Sequence, residues 1–563
     1  MDVVFITYDR SEKYLKSNFF KKNKNKNKQD QEITPDQMMK KNNRSKLTGK
    51  LDETIQIIKS LLGENDDFVI RHFHIFGHYS AAMVYLSHIV DHEVVNRDIL
   101  KPLMNVPNHL VNKMINLTQL EDVLLNETLS HSKTHIENDI GKLISALLHG
   151  KTVIVIEKLD KAFHIDTHKV EKRAVTQPET EQVILGPREG YIESIVTNLA
   201  LLRNRLPTAD LKVKTMTIGR LTKTKVAICY LKGIANESLI KEVEKRLSQI
   251  DIDVLLDVGY LEQFIEDNHY SPFPQIQTTE RPDKTVASLA EGRVAIIADG
   301  SPFALIAPVV FHQFYQTTED YSSRFLMGSF MRMARVLALV FSLFFPGIYV
   351  SMISFNPELI PTEFAVAVAG GRAGVPYPAV VEVLLMEVSM EVLREATVRL
   401  PRQVGGALSI VGVLVIGQAA VEAGFASPIT VVFIALTTIG SFATPAYTAA
   451  FALRILRFLI IILAGIFGLY GVVVGVIFIF NHMLSLKSFG VPFMSPMSPG
   501  NLQGIKDTGV RAPLWWMYKR PSFLHPTNEV RLGTSPKPFQ KAQSVPSVEG
   551  NQLTQEEKNE PTP

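Results

Sequence analysis

Three glutamates, Glu387, Glu391 and Glu395, recur at every fourth position in a stretch otherwise built largely from Val, Leu and Met. On a helix this spacing aligns them in one narrow stripe. Carboxylates facing lipid are costly, so the stripe should face protein, water or an ion path. Three readings compete. The acids lie in water on an interfacial helix, tied to Arg394 and Arg399; they line a pore or cavity; or they pair within the membrane. A further acid, Glu382, falls off the stripe. Along the helix, Glu395 has Arg399 one turn on and Glu391 has Arg394 three residues on. Glu387 has no basic neighbour nearer than two turns and reads as the least compensated. In a symmetric ring of copies, such stripes would stack into rings of carboxylate, a common device for admitting cations.

No other set of residues carries a persuasive chemistry. There is no P-loop, no GxGxxG after a strand, no HExxH and no paired CxxC. The chain therefore reads as a non-enzyme, with no cofactor and no metal. His72, His74 and His78 are close in sequence but have no Cys or carboxylate at ligand spacing. The turn GPREG at 186–190 has glycines and Arg188, which suits an anion. Its plainer reading is a tight turn held by an Arg188–Glu189 pair. TERPD at 279–283 reads as a structural hinge held by Arg281 and acids that include Asp283. Asp299, followed by Gly300, breaks a short apolar run, and Pro302 interrupts the next.

The elements that must hold these residues divide the 563-residue chain in two. The net charge of +3 is uninformative as a total, and the 46% apolar content averages a polar first half against an apolar second half. One cysteine, Cys229, excludes an internal disulfide framework and fits a reducing compartment. The first residues lack a signal-peptide core, so the first half is expected to stay on the cytoplasmic side. The fold class expected is a two-lobed, soluble α/β N-terminal domain followed by an α-helical transmembrane bundle. Residues 1–50 form a Lys- and Asn-rich leader, expected to be disordered. Residues 51–175 form one α/β subdomain, with helices over 51–63, 80–89 and 120–148 and strands over 68–76 and 151–157. Residues 176–290 form a second, with helices over 192–203 and 236–249 and strands over 211–218, 225–231 and 253–257. Residues 291–335 read as an interfacial or re-entrant linker, because the apolar run at 301–311 is short and broken by prolines.

Residues 336–482 form the bundle. The stretches 336–355, 404–421 and 458–480 each match a bilayer span, with Pro346 expected to kink the first. Five crossings would set the basic tail outside, against the positive-inside rule. Four crossings, with the acidic helix or residues 428–444 interfacial or re-entrant, keep both termini cytoplasmic. Small residues at Gly468, Gly471 and Gly475 permit close helix packing, within one subunit or between subunits. Residues 483–530 form a cytoplasmic C-terminal segment, and 531–563 a disordered tail.

Several stretches recur together in a recognisable order: PETE at 178–181, GPREGY at 186–191, NLALLRNRL at 198–206, FPQ at 273–275, TERPD at 279–283, EGRVAIIADGSPF at 291–303, EDY at 319–321 and KDTGVRAPLWWMYKRP at 506–521. With the acidic helix, they resemble the A subunit of GerA-type spore germination receptors over about residues 51–531. The leader lies outside the resemblance. A paralogous branch, accessory to the dipicolinic acid channel, shares much of the pattern. The resemblance implies an integral protein of the inner spore membrane, its N-terminal domain on the spore-core side. It implies a transporter-like B subunit and a lipoprotein C subunit as partners, contact with membrane lipids, self-association through the A subunit, and no nucleic acid. It implies that the complex senses nutrient germinants and triggers ion release, the A subunit conducting ions. A non-conducting scaffold is the competing reading.

Overall fold

The computed structural model describes residues 35–36, 46–106, 116–129, 134–169, 177–398, 417–500 and 502–533. In the first lobe, helix α1 (Leu51–Leu62) buries Leu51, Ile55, Ile58, Leu61 and Leu62 on one face. Strands β1 (Phe68–Ile75) and β2 (Tyr79–Leu86) form an antiparallel hairpin with Ile75 opposite Tyr79. Phe76 and Gly77, both at positive φ, turn the chain between them. Then follow β3 (Thr134–Glu137), α2 (Ile140–Leu148), β4 (Lys151–Ile156) and β5 (Ala162–Asp166). The five strands pair antiparallel in the order β1-β2-β4-β5-β3. Asp139 caps α2 through the backbone N–H groups of Gly141 and Lys142. Ile58 and Ile144 pack on one face of the sheet, Ile99, Leu124 and Phe163 on the other.

Two expectations for this lobe fail. Residues 80–89, read as a helix, are mostly β2, a central strand buried between β1 and β4. Burial on both faces removes the alternation that marks a strand, so the run Ala81–Val84 looks equally helical in sequence. The helical span 120–148 also contains the edge strand β3. Of the leader expected over 1–50, residues 1–34 and 37–45 lie outside the described residues. Its end is packed: Leu47 is buried in the first core, and Lys46 bridges Asp139.

The second lobe repeats the plan. It contains α3 (Ile195–Arg205), β6 (Leu211–Ile218), β7 (Thr224–Leu231), α4 (Glu237–Ser248), α5 (Val258–Ile265), β8 (Gln277–Thr279), α6 (Pro282–Glu291), β9 (Val294–Ala298) and β10 (Ala304–Ala307). The sheet order is β6-β7-β9-β10-β8, antiparallel throughout. Asn236 caps α4. The lobes are joined by Arg203, which donates from Nε and Nη2 to Asp67 at 2.6 and 2.7 Å. Burial alone would raise the Asp67 carboxyl; Arg203 and His88 outweigh it and hold it at about 2.

The expected linker over 291–335 is therefore wrong in its first half. Residues 294–307 are a β-hairpin at the centre of the second sheet, and Asp299-Gly300 is its turn. The prolines do not break a membrane segment: Pro302 lies in the turn, and Pro308 follows the last strand. The second lobe thus extends beyond residue 290. No strand forms over 253–257. Short apolar runs fit a buried strand and an interfacial segment equally, and the Asp-Gly pair was the signal that separates them.

The C-terminal half is helical. A short helix α7 (Thr318–Ser322) leads into α8 (Phe325–Ser354), followed by α9 (Thr362–Arg372), α10 (Ala379–Val398), α11 (Pro428–Phe442) and α12 (Tyr447–Ser485). Helices α8, of 30 residues with Pro346 inside, and α12, of 39 residues, are long and apolar enough to cross a membrane. Helix α11 is apolar but shorter, at 15 residues. Of the expected span 404–421, residues 404–416 lie outside the described residues. Gly468, at positive φ, kinks α12 against the ring of Phe355 in the same chain. Residues 487–492 form a small hairpin of β11 (Lys487–Ser488) and β12 (Val491–Pro492), and the following segment returns to the second lobe. There Thr527 N–H donates to Ile234 O at 3.0 Å, and Arg520 Nε donates to Ala290 O at 2.7 Å. Residues 534–563 lie outside the described residues.

Candidate functional site

The acidic helix α10 packs against α12, and the close approach depends on Gly465. A Cβ there would stand 2.4 Å from a methyl of Val380. This approach brings the stripe of acids to two arginines of α12. Arg457 Nη1 donates to Glu387 at 2.8 Å, and both side chains are almost fully buried. Arg454 Nε stands 3.7 Å from Glu391, which also accepts from Arg394 Nη1 at 2.5 Å. Arg394 Nη2 reaches Ser441 Oγ of α11 at 3.0 Å. Glu395 is exposed. The stripe is thus graded, from a buried acid through a half-buried one to an exposed one.

The expectation that Glu387 is the least compensated acid is overturned. Its partner lies 70 residues away and outside any helical neighbour rule. Arg454 and Arg457 immediately precede the apolar stretch 458–480, and their i, i+3 spacing was the available signal that one face of α12 meets an acidic partner. Glu382, off the stripe, is fully buried. It pairs with Arg372 of α9 at 3.3 Å and accepts from Ser427 N–H, at the start of α11, at 2.6 Å. The water-facing form of the acidic helix therefore does not describe Glu382 or Glu387.

The predicted loop motifs form a clamp beside the helices. Arg281 is buried and donates bidentately to Asp283 at 3.1 and 2.9 Å. Its remaining donors reach Glu181 O at 3.1 Å and Pro187 O at 2.8 Å, tying the PETE and GPREG segments together. Glu280 accepts from Glu179 N–H at 2.5 Å and from Thr180 Oγ1 at 2.9 Å. Glu189 pairs with Arg205 at 2.6 Å, which replaces the expected Arg188–Glu189 pair; Arg188 is exposed. Asp299 accepts from Ile195 N–H at 3.0 Å and so holds the start of α3.

A second cluster joins the first apolar helix to the tail. Arg332 donates to Asp320 at 3.1 Å and to Asp507 at 2.8 Å. Arg335 also binds Asp320, and Tyr321 donates to Asp507 at 2.7 Å. Arg511 Nη1 donates to Asp320 O at 2.5 Å. Nearby, burial and then Arg293 lower His312 to about 3, and its Nδ1 lies 3.1 Å from Ser495 O. His72, His74 and His78 are exposed on the first lobe, and among the described residues no group of three His, Cys, Asp or Glu side chains is placed to hold a metal ion.

Comparison with known proteins finds relatives along most of the chain. Spore germination protein KA of Bacillus subtilis (strain 168) is 42% identical over 494 residues, 87% of this chain and 90% of the relative. The uncharacterized membrane protein YfkQ of the same strain is 39% identical over 495 residues, 88% of this chain and 95% of the relative. A crystal structure of the N-terminal domain of the A subunit of the Bacillus megaterium spore germinant receptor GerK3 is 36% identical, with a TM-score of 0.37, covering 47% of this chain and 98% of that one. Residues 56–523 match the family described as Bacillus/Clostridium GerA spore germination protein, and the chain belongs to that family.

Proposed function

We propose that this protein is the A subunit of a nutrient germinant receptor of bacterial spores, set in the inner spore membrane with its α/β lobes on the core side. It works with a transporter-like B subunit and a lipoprotein C subunit, and passes ions when germinant binds. The observation that carries the ion-passing part is the acidic stripe on α10, inside a bundle whose long helices are apolar. Carboxylates in such a setting are costly, face the bundle interior or a water-filled cavity, and mark ion paths and proton relays. Glu391, held by Arg394, and Glu395 become progressively more exposed along the stripe and are the members that water reaches. A second reading, a non-conducting relay or an accessory protein of the paralogous branch, is favoured by Glu387, because Arg457 neutralises it within the chain.

Potassium release from spores carrying Glu391→Gln, Glu395→Gln and both together decides between them, with immunoblots to confirm protein levels. Slower release at unchanged levels is the expected result. Normal release by the double variant removes the conduction reading and leaves the relay.

A further inference from the structure

A cavity of about 670 Å³ lies where the C-terminal ends of α10 and α11 and the first turns of α12 face the PETE loop of the second lobe. Arg394 and Arg454 line it, with Thr438, Ser441 and Thr444 beside them and Glu179 and Thr180 on the lobe side. The carboxylate nearest the two guanidinium groups is Glu391, which stands behind them and serves both. Arg457 already has Glu387. Glu179, the acid that does line the cavity, is exposed at its rim.

The donors are in excess. Arg454 is over nine-tenths buried and makes no hydrogen bond among the described residues. Its guanidinium packs over the rings of Tyr447 and Phe451, at 5.8 and 5.2 Å from their centroids. The Nε of Arg394 and the hydroxyl of Thr438 are buried without a partner too. A buried guanidinium with unmet donors costs free energy that an acceptor carrying negative charge recovers, and a fork of planar donors suits a phosphate.

We infer that this cavity is an anion site that takes a phosphate group, presented by an anionic phospholipid or by a free phosphate compound. The inference does not depend on whether the acidic stripe conducts. The PETE loop, held by Glu280 and Arg281, closes the lobe side of the cavity. Occupancy would therefore bear on how the α/β lobes seat on the helices.

The test uses the full-length protein in detergent and in lipid nanodiscs. One arm follows the thermal midpoint with inorganic phosphate against chloride at equal ionic strength. The other measures phosphatidylglycerol retained after exchange into phosphatidylcholine. A rise with phosphate assigns a free phosphate compound, and retained phosphatidylglycerol assigns a headgroup. In either arm, Arg454→Gln and Arg394→Gln should weaken binding about ten-fold or more, with Arg454→Lys intermediate. Thr438→Val, which keeps the side-chain shape, should weaken it less, and with Arg454→Lys it carries the test if the glutamine variants do not fold. Absence of binding in both arms, or binding that these variants leave unchanged, overturns the inference.

Discussion

Glu387 and Arg457 illustrate how far a residue's environment can differ from its sequence neighbourhood. Each is buried, and each leaves one polar atom, Glu387 Oε1 and Arg457 Nε, without a partner. Removing one member of a buried pair leaves an uncompensated charge and costs about 3–5 kcal/mol, whereas replacing both by neutral groups costs less. Glu387→Gln, which would be nearly silent were the acid facing water, is therefore expected to lower the thermal midpoint and the amount of protein in the membrane. Arg457→Gln should do the same, and the double variant should recover part of the loss. A double-mutant cycle on detergent-solubilised protein checks this, and additive losses would show that the two side chains do not interact. A corollary concerns function: a germination defect in the Glu387 variant alone reports folding before it reports conduction, which is why Glu391 and Glu395 are the better probes.

At the level of elements, the contact between α10 and α12 is set by a missing side chain. Gly465 lies against Val380, with room for no Cβ at the present spacing. Gly465→Ala should push the helices apart and destabilise the protein by about 1–3 kcal/mol, as overpacking commonly does. Adding Val380→Ala should relieve most of it. The measurement is the thermal midpoint of the single and double variants; equal midpoints for Gly465→Ala and the wild type would show that the helices separate at no cost. The small residues read in the sequence as a packing face, Gly468, Gly471 and Gly475, are likewise met within the chain, Gly468 by Phe355 and the other two by Leu463, on the far side of the kink. In the clamp, Arg281 pairs with Asp283 inside the TERPD segment. Its reach to PETE and GPREG is what seats those loops.

For the whole molecule, the two lobes and the helical region are not separable at the boundary the sequence suggests. β9 is the central strand that joins β7 to β10, and β8 pairs with β10 alone. A fragment ending at residue 290 lacks β9 and β10 and the last residue of α6. A fragment covering 46–310 keeps both sheets complete and should fold, with slow amide exchange through β6 and β7. The shorter one should lose that protection in the second lobe while keeping it in the first. Equal protection in the two fragments would contradict the sheet order. The apolar core also crosses the boundary: Phe273 and Val309 of the second lobe join Phe493 of the returning segment and Leu343 and Ile461 of the helices in one cluster. The isolated lobes should therefore expose this apolar underside and associate more readily than the full chain.

Local rules were enough where an element depends on its own residues. The amphipathic face of α1, the Asn236 cap of α4, the strands β6 and β7 and the long apolar helices α8 and α12 were all legible, because propensity, periodicity and capping act within a few turns. The division into an α/β half and a helical half followed from the same patterns, and the ordered motifs identified the family. What stayed hidden depends on distant contacts. β2 and the β9–β10 hairpin are buried on both faces, so their sequences carry no alternation and only the neighbouring strands define them. The partners of Glu387, Glu382 and Arg332 lie on other elements, 70, 45 and 175 residues away among the hydrogen bonds they make. Charge pairing follows proximity in space, so the stripe of acids and its helical neighbour Arg394 could be seen in the sequence, while the pairing of Glu391 and Glu387 with Arg454 and Arg457 of α12 could not.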